Sequence, residues 1–346
     1  MRWWWVVPLC LGLACAVAAG VAWVHFQRFA DTPAVGPDAA PSVVVERGDG
    51  FRTVLRKLRA AGVAVGHDLE WQLLARQMDA AGRIKVGEYA LEPGMSPRTL
   101  LQRMREGRVF RCRFPLVEGW NFRQLRAALD AAEPLRHETT GMDDAAVMAA
   151  IGKPGQHPEG RFLPETYLYQ RGDSDLDLLR RAHAAMEQAL AEAWEARAPD
   201  LPLQSPEEAL ILASIVEKET GQAHERPQIA GVFTRRLRKG MLLQTDPTVI
   251  YGLGSAFDGN LRKRDLLADT PYNSYTRPGL PPTPIAMPGR AALQAAVNPA
   301  PGDALYFVSR NDGSHVFSAT YAEHAAAVDC YQRRRNCPAA AAGEQR

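Results

Sequence analysis

Past its midpoint, the chain of 346 residues reads Ser205-Pro-Glu-Glu-Ala-Leu-Ile-Leu-Ala-Ser-Ile-Val-Glu-Lys-Glu-Thr-Gly221. Its first residues are typical of a helix start, because Ser205 can cap the helix, Pro206 suits the first helical position and an acid follows at the third. Gly221 is typical of the residue just beyond a helix. The stretch therefore predicts one helix with a long apolar run that ends on two acids, Glu217 and Glu219.

These two acids lie in the last turn, where the negative end of the helix dipole disfavours a carboxylate. Such a position raises a carboxyl pKa, which suits a group that donates a proton near neutral pH. At about 100° per residue the two acids point to nearly opposite faces. Because Glu219 stacks over the most apolar stripe, we expect it to be a general acid. Periodicity leaves an alternative open, in which both acids face solvent and pair with Lys218 or nearby arginines.

A second polar cluster follows the helix in three blocks. They are Gln244–Tyr251, Pro271–Tyr275 and Gly279–Pro284. Their amide, hydroxyl and aromatic side chains are the groups that hydrogen-bond sugars and stack on sugar rings. Two other interpretations stay open, since Asp246 before Pro247 could simply cap a short helix and the Pro-rich block could be a rigid loop.

Several familiar catalytic patterns are missing from the sequence. There is no GxSxG, HExxH or P-loop motif, and no GxGxxG follows a strand. The eight histidines are not spaced as ligand pairs and no CxxC pair occurs. These absences argue against a serine hydrolase, a metalloenzyme or a nucleotide enzyme, and we expect no metal and no cofactor.

The charge pattern gives no sign of a nucleic-acid partner. The formal net charge is +2. Short basic runs occur at Arg235–Lys239, Arg262–Arg264 and Arg333–Arg335, but they lack interleaved aromatic residues that could stack on bases. We interpret these runs as solvated faces.

The N-terminal segment Trp3–Val24 carries no charge and is long enough to cross a bilayer as a helix. Tryptophans at both ends suit the headgroup region. We therefore predict a single membrane anchor over residues 1–25 with a cytoplasmic N-terminus, followed by an extended Pro/Ala linker over 26–42. The alternative is a signal peptide cleaved near Ala16–Gly20.

The rest of the chain predicts an α+β protein with two parts. Residues 43–109 form a small module, with strands at Val43–Val45 and Lys85–Leu91 and a helix starting at Ser96. Residues 110–337 form a larger mixed α/β domain, whose end predicts a hairpin over Leu305–Phe317 and then a capped helix. Cys330 and Cys337 could form a local disulfide in an oxidising compartment, and residues 338–346 are expected to be a disordered tail.

A family resemblance covers nearly the whole chain. The main blocks are Ala213-Ser-Ile-Val-Glu-Lys-Glu-Thr220, Leu243-Gln-Thr-Asp-Pro-Thr-Val-Ile-Tyr-Gly252 and Tyr272-Asn-Ser-Tyr275 with Gly279-Leu-Pro-Pro282. Further matches are Leu116-Val-Glu-Gly119, Glu159-Gly-Arg-Phe-Leu-Pro-Glu-Thr-Tyr167 and Gly313-Ser-His-Val-Phe317. Together these segments closely resemble the MltG (YceG-like) endolytic murein transglycosylases.

The resemblance implies a reaction and its acid. It makes the 43–109 module LysM-like, 110–337 the transglycosylase domain and Glu219 the catalytic acid. Glu219 would protonate the oxygen between MurNAc and GlcNAc, and the MurNAc C6 hydroxyl would attack C1 to leave a 1,6-anhydro end. One carboxylate suffices, because the attacking group belongs to the same sugar. We expect five side chains to line the glycan cleft: Gln244, Asp246, Tyr251, Asn273 and Tyr275.

The implied partners are peptidoglycan glycan strands, the inner membrane and peptidoglycan synthases, with the catalytic domain in the periplasm. The implied role is to limit glycan chain length. Two rival functions remain: a muramidase-type hydrolase in which Asp246 positions a water, and a non-catalytic peptidoglycan-binding scaffold.

Overall fold

The computed structural model describes residues 6–335, and within them the chain divides into two compact units. The first unit contains the chain up to Cys112 together with Leu168–Asp173, and the second contains Arg113–Tyr167 and the chain from Ser174 onward. The described strands form three two-stranded sheets. Helices supply most of the remaining framework, so the fold is a mixture of helix and small sheets.

From residue 6 onward, where the structure is described, the first unit contains four helices and two complete strands. In chain order they are α1 Val6–Asp31, β1 Ser42–Val45, α2 Phe51–Ala60, α3 Asp68–Gln77, β2 Gly87–Ala90 and α4 Pro97–Glu106. The two strands are antiparallel, in a register from Ser42 opposite Ala90 to Val45 opposite Gly87. Side chains on one face of this sheet, including Val43, Val45 and Tyr89, are buried with the inner faces of the helices. The two predicted strands are confirmed, and Ser96 caps α4 as expected. The LysM-like description of this module stays a prediction.

The segment 26–42 differs from the extended linker that we predicted. Helix α1 continues to Asp31, and Phe29, Ala30, Ala34 and Val35 are buried in the core of the first unit. The ring of Phe29 packs edge-on against Trp71 at 5.7 Å between centroids. The apolar residues beyond His25 therefore fold onto the module, which Pro/Ala composition alone could not indicate.

One helix in the described part of the chain, Leu9–Asp31, is long and apolar enough to cross a membrane. Its apolar window is not buried by the rest of the protein. Length and composition are compatible with a membrane anchor, and a signal sequence has the same properties.

The second unit is mainly helical. Two strands lie partly in each unit, and they are β3 Cys112–Pro115 and β4 Thr166–Tyr169. The other elements of the second unit are α5 Phe122–Asp130, α6 Asp144–Ala150, α7 Asp175–Glu195, α8 Pro206–Glu219, α9 Arg226–Arg238, α10 Asp246–Leu253, α11 Lys263–Leu267, α12 Arg290–Val297, β5 Tyr306–Ser309, β6 His315–Ser318 and α13 Tyr321–Tyr331. Two short 3₁₀ turns cover Ala223–Glu225 and Gly254–Ala256. Strand β3 pairs with β4, and β5 pairs with β6.

Helix α8 is the central helix of this unit. Every residue from Ala209 to Val216 is buried, and the helix packs against α7, α9, α10 and α12. The buried Ser214 is satisfied, since its hydroxyl donates to the Ile211 carbonyl at 2.7 Å and accepts from the Ile285 amide at 3.0 Å. The predicted start is confirmed, because Ser205 Oγ accepts from the Glu208 amide at 3.3 Å. A helix that is apolar on all sides is a core helix, and here it carries the two acids out of the core at its end.

The C-terminal hairpin and helix also form as predicted. Strands β5 and β6 are antiparallel from Tyr306 opposite Ser318 to Ser309 opposite His315. Thr320 and Glu323 form the capping box of α13. Cys330 is buried and disulfide-bonded. Cys337 and the predicted tail 338–346 lie outside the described residues.

Candidate active site

An open cleft of about 350 Å³ lies at the C-terminal end of α8. Its walls come from the loop before α10, the loop containing Tyr275, strand β5 and helix α13. The lining residues are Glu219, Arg236, Leu243, Gln244, Asp246, Tyr275, Tyr306, Phe307, Tyr321 and His324. Four of the six residues that the sequence singled out therefore share one cleft, and they are Glu219, Gln244, Asp246 and Tyr275.

Glu219 has the properties of a proton donor. Its carboxylate accepts a hydrogen bond from the Thr245 hydroxyl, and it has no ion-pair partner within residues 6–335. Burial raises the pKa of Glu219 to about 7, and the negative charge of Asp246 acts in the same direction. The Thr245 hydrogen bond and the charge of His315 act against this rise. The group is therefore divided between its acid and carboxylate forms near neutral pH.

The residues after Leu243 are held against the Tyr275 loop. The Gln244 amide donates to the Ser274 carbonyl at 3.1 Å, and the Thr245 amide donates to Ser274 Oγ at 3.0 Å. Thr245 occupies the N-cap position of α10, and Asp246 is the first helical residue. The capping interpretation had expected Asp246 itself at the N-cap. The Asp246 carboxylate accepts from the Tyr275 hydroxyl at 2.5 Å. Two carboxylates, Glu219 and Asp246, thus lie in the same cleft.

Asn273 does not line this cleft. It is fully buried, and its amide group donates to the carbonyls of Asp265, Leu266 and Ala268. Its side-chain oxygen accepts from the Tyr275 amide at 2.9 Å. Its contacts therefore organise the loop that presents Tyr275.

Tyr251 also lies outside the cleft. Its ring packs edge-on against Tyr272 at 4.9 Å between centroids, and its hydroxyl is hydrogen-bonded to Glu159. Burial raises the pKa of Glu159 to about 7, while hydrogen bonds from the Phe122 amide and Tyr251 favour its ionised form. Glu159 is a buried acid that joins the start of α5 to α10.

Glu217 has a closed environment, although it is only two residues from Glu219. Its side chain is 5% exposed and pairs with Arg226 at 3.2 Å. Its second oxygen accepts from the Gly289 amide at 2.9 Å, where α12 begins. Arg226 also lies 3.6 Å from Glu118. Glu217 therefore pairs with a nearby arginine, as the alternative interpretation expected, but in a buried position.

Arg236 corrects our interpretation of the 235–239 basic run. The end of that run is exposed, yet Arg236 is 7% exposed and lies on the apolar side of α9. Its Nε donates to the Leu305 carbonyl at 2.7 Å and its Nη1 to the Leu243 carbonyl at 2.9 Å. Helical spacing from Ile229 and Phe233 placed Arg236 on this buried stripe, a signal that the sequence interpretation missed.

The hairpin and terminal helix supply the other side chains that were missed. Tyr306 and Phe307 come from β5, and Tyr321 and His324 come from α13. These residues lie about a hundred positions after Glu219 in the sequence. The local sequence pattern therefore gave no reason to group them with Glu219.

A buried His–Glu pair lies behind Glu219. His315 Nδ1 is 2.7 Å from Glu225 Oε2, and the His315 amide donates to Glu225 Oε1 at 2.8 Å. Thr220, which follows Glu219, also donates to Glu225. Burial by itself would raise the pKa of Glu225, but the hydrogen bonds from His315 hold that pKa below the usual value. Within the described residues, no group of three or more His, Cys, Asp or Glu side chains is arranged to hold a metal ion.

Comparison with known proteins gives consistent matches. The sequence model of the YceG-like family matches residues 43–330. The endolytic murein transglycosylase of Bacillus subtilis is 31% identical over 283 residues, which cover 77% of this chain and 78% of that protein. The endolytic murein transglycosylase of Streptococcus pneumoniae serotype 2 is 26% identical, covering 82% of this chain and 56% of the relative. The chain thus spans about half the length of the streptococcal relative.

A solved structure shares the fold. A crystal structure of a YceG-like protein from Listeria monocytogenes superposes with a TM-score of 0.54 at 28% identity, covering 82% of this chain and 97% of that one. Because the family match extends over most of the chain and the Bacillus relative is similar over most of both lengths, this chain belongs to the YceG-like family.

Proposed function

We propose that this chain is an endolytic lytic transglycosylase that cleaves the β-1,4 bond between MurNAc and GlcNAc in peptidoglycan glycan strands. The observation that carries the proposal is Glu219, an acid in an open cleft whose pKa is raised to about 7. The names of the relatives from Bacillus and Streptococcus support the substrate.

In the first half of the reaction, Glu219 donates its proton to the glycosidic oxygen as the bond between that oxygen and MurNAc C1 breaks. The proton leaves with the GlcNAc O4 hydroxyl. A raised pKa supports this step, because an ordinary glutamate would hold too little of its acid form near pH 7.

In the second half, the MurNAc C6 hydroxyl oxygen forms a bond to C1 and its proton passes to the Glu219 carboxylate. The acid is regenerated, and the MurNAc carries a 1,6-anhydro ring. Since the attacking hydroxyl is on the same sugar, no water and no second catalytic carboxylate are needed.

A muramidase-type hydrolase is the second candidate, and Asp246 is the observation that favours it. Hydrolases of glycosidic bonds use two carboxylates, one as the acid and one as the base or nucleophile. Asp246 shares the cleft with Glu219 and is held by the Tyr275 hydroxyl. In that reaction Asp246 would position a water, and the product would carry a reducing end.

We also propose an envelope location. The apolar part of helix α1, from Leu9 to Val24, would anchor the chain in the inner membrane with the rest in the periplasm. There the enzyme would work beside peptidoglycan synthases on nascent strands and limit their length, with the first unit as a LysM-like glycan-binding module.

The test is digestion of purified nascent glycan by the full chain, with mass spectrometry of the products. Anhydro-MurNAc ends from the wild type, and none from Glu219→Gln, are the expected result. Glu217→Gln is the matched control, because it removes a charge from the same helical turn but lies outside the cleft; it should still cut.

The other outcomes are equally informative. Products with reducing ends would show that the chain is a hydrolase and would rule out the transglycosylase reaction. Cleavage by Glu219→Gln would overturn the assignment of the acid. If the wild type bound glycan without cleaving it, and Glu219→Gln bound it equally well, the non-catalytic scaffold would be the remaining function.

A further inference from the structure

The rim of the cleft carries an aromatic residue with an open face. Tyr321 is the first residue of α13, and it is 70% exposed. Large aromatic side chains are normally covered in a soluble domain, since each buries a large apolar area on folding. An aromatic ring left open at the mouth of a polar cleft therefore has surface available for a ligand.

This ring is the outermost member of a packed row that leads into the cleft. The Tyr321 and Tyr306 rings are 6.1 Å apart in an edge-on arrangement. Tyr306 is stacked on His324 at 5.2 Å, with 20° between the ring planes. The Arg236 guanidinium lies over the Tyr306 ring at 5.1 Å. The row thus runs from an exposed ring at the rim to a buried cation inside.

The row is held in place before any ligand arrives. Arg236 is fixed by the carbonyls of Leu305 and Leu243. The far end of α13 is tied to the hairpin, because Asn311 Nδ2 donates to the Tyr331 carbonyl at 2.7 Å and Gln332 Nε2 donates to the Ser309 carbonyl at 2.9 Å. Binding to a wall that is already ordered costs little side-chain entropy.

The chemistry of this wall fits a sugar ring. A pyranose offers an apolar face of C–H groups, which packs on an aromatic ring, and a rim of hydroxyl and acetamide groups, which accept hydrogen bonds. Within the described chain, the hydrogen bonds of Arg236 come from Nε and Nη1, so Nη2 is available as a charged donor in the cleft. The carboxylates of Glu219 and Asp246 in the same cleft oppose an anionic ligand and favour a neutral one.

We propose that Tyr321, at the end of the Tyr306–His324–Arg236 row, is the stacking platform of a glycan subsite that holds one neutral N-acetylated sugar ring away from the scissile bond. This subsite rests on the proposed function, because it positions the same strand that Glu219 cuts. Tyr321 is a binding residue and takes no part in proton transfer.

The experiment measures binding of an uncrosslinked GlcNAc–MurNAc oligosaccharide to full-length protein carrying Glu219→Gln, so that no cleavage occurs. Tyr321→Ala in this background should weaken binding by about 3- to 10-fold, as expected from one aromatic contact. Tyr321→Trp should restore it, because an indole offers a stacking face. Leu267→Ala is the control, since Leu267 is 67% exposed in the same unit as Tyr321 but does not line the cleft. With Glu219 intact, Tyr321→Ala should raise KM and leave kcat unchanged.

Three results would overturn the subsite. The first is unchanged binding by Tyr321→Ala, the second is an equal loss of binding in Leu267→Ala, and the third is a loss of binding in both Tyr321→Ala and Tyr321→Trp. Each is distinguishable from failure of the proposed function, because cleavage by the chain with Tyr321 and Glu219 intact is scored separately.

Discussion

Glu217 and Glu219 lie in the same helical turn, yet their surroundings differ in nearly every respect. Glu217 is enclosed by Arg226 and the first amide of α12. Glu219 faces a cleft, accepts from a neutral hydroxyl and has a pKa raised to about 7. The helix dipole acts on both acids alike. What separates them is the partner: Glu217 pairs with the Arg226 guanidinium, whereas Glu219 has no cationic partner within the described residues.

The largest expected effect is on catalysis. Glu219→Gln should lower kcat by roughly 10²- to 10⁴-fold, the usual contribution of a general acid. Glu217→Gln should lower it by less than about tenfold, because its role is in packing. Steady-state release of soluble fragments from glycan measures both. Similar losses in the two variants would remove the distinction between the acids.

The next effect is on stability and should fall on the other acid. Glu217→Ala leaves Arg226 as a nearly buried cation whose closest remaining carboxylate is Glu118 at 3.6 Å. Breaking such a pair costs about 3 kcal/mol of unfolding free energy. Urea unfolding at pH 7 measures the change. A cost below about 1 kcal/mol would mean that the pair contributes little to the framework.

Glu219 should affect stability in the opposite sense. Its folded pKa of about 7 lies above the ordinary value of 4.5. The folded state therefore binds this proton more tightly, so the resulting stability is fully present below pH 4.5 and is lost as the pH rises through 7. Glu219→Gln should consequently be more stable than wild type by about 3 kcal/mol at pH 8, with a smaller gain at pH 5. Equal gains at both values would contradict a raised pKa.

The smallest effects should appear in the pH profile of kcat/KM. Wild-type activity should fall as the pH rises through about 7, where Glu219 loses its proton. Thr245→Val removes a bond that lowers this pKa and should move the fall to higher pH. Asp246→Asn removes a charge that raises it and should move the fall to lower pH. If the fall moved in the same direction in both variants, ionisation of Glu219 would not be its cause.

The sequence predicted those parts of the structure that depend on local signals. Ser205 and Pro206 marked the start of α8, and Thr320 with Glu323 marked the start of α13, because a cap acts on amides within three residues. The face argument for Glu219 also needed only helical geometry.

The parts that it could not predict depend on distant contacts. Arg236 looked like one charge in an exposed run, but its guanidinium donates to the carbonyl of Leu305, just before β5. The aromatic wall of the cleft comes from Tyr306 and Tyr321, far along the chain from Glu219. Phe29 looked like part of a linker because its partner, Trp71, lies in another helix.

The most direct test of the contrast between the two acids is a carbon-13 NMR titration of the chain with labelled glutamate carboxyl groups. We predict two carboxyl resonances that titrate near pH 7, those of Glu219 and Glu159. One of the two should be missing from Glu219→Gln, and both should be present in Glu217→Gln. If the resonance lost in Glu219→Gln titrates near 4.5 instead, Glu219 is an ordinary surface acid and the account of its chemistry is wrong.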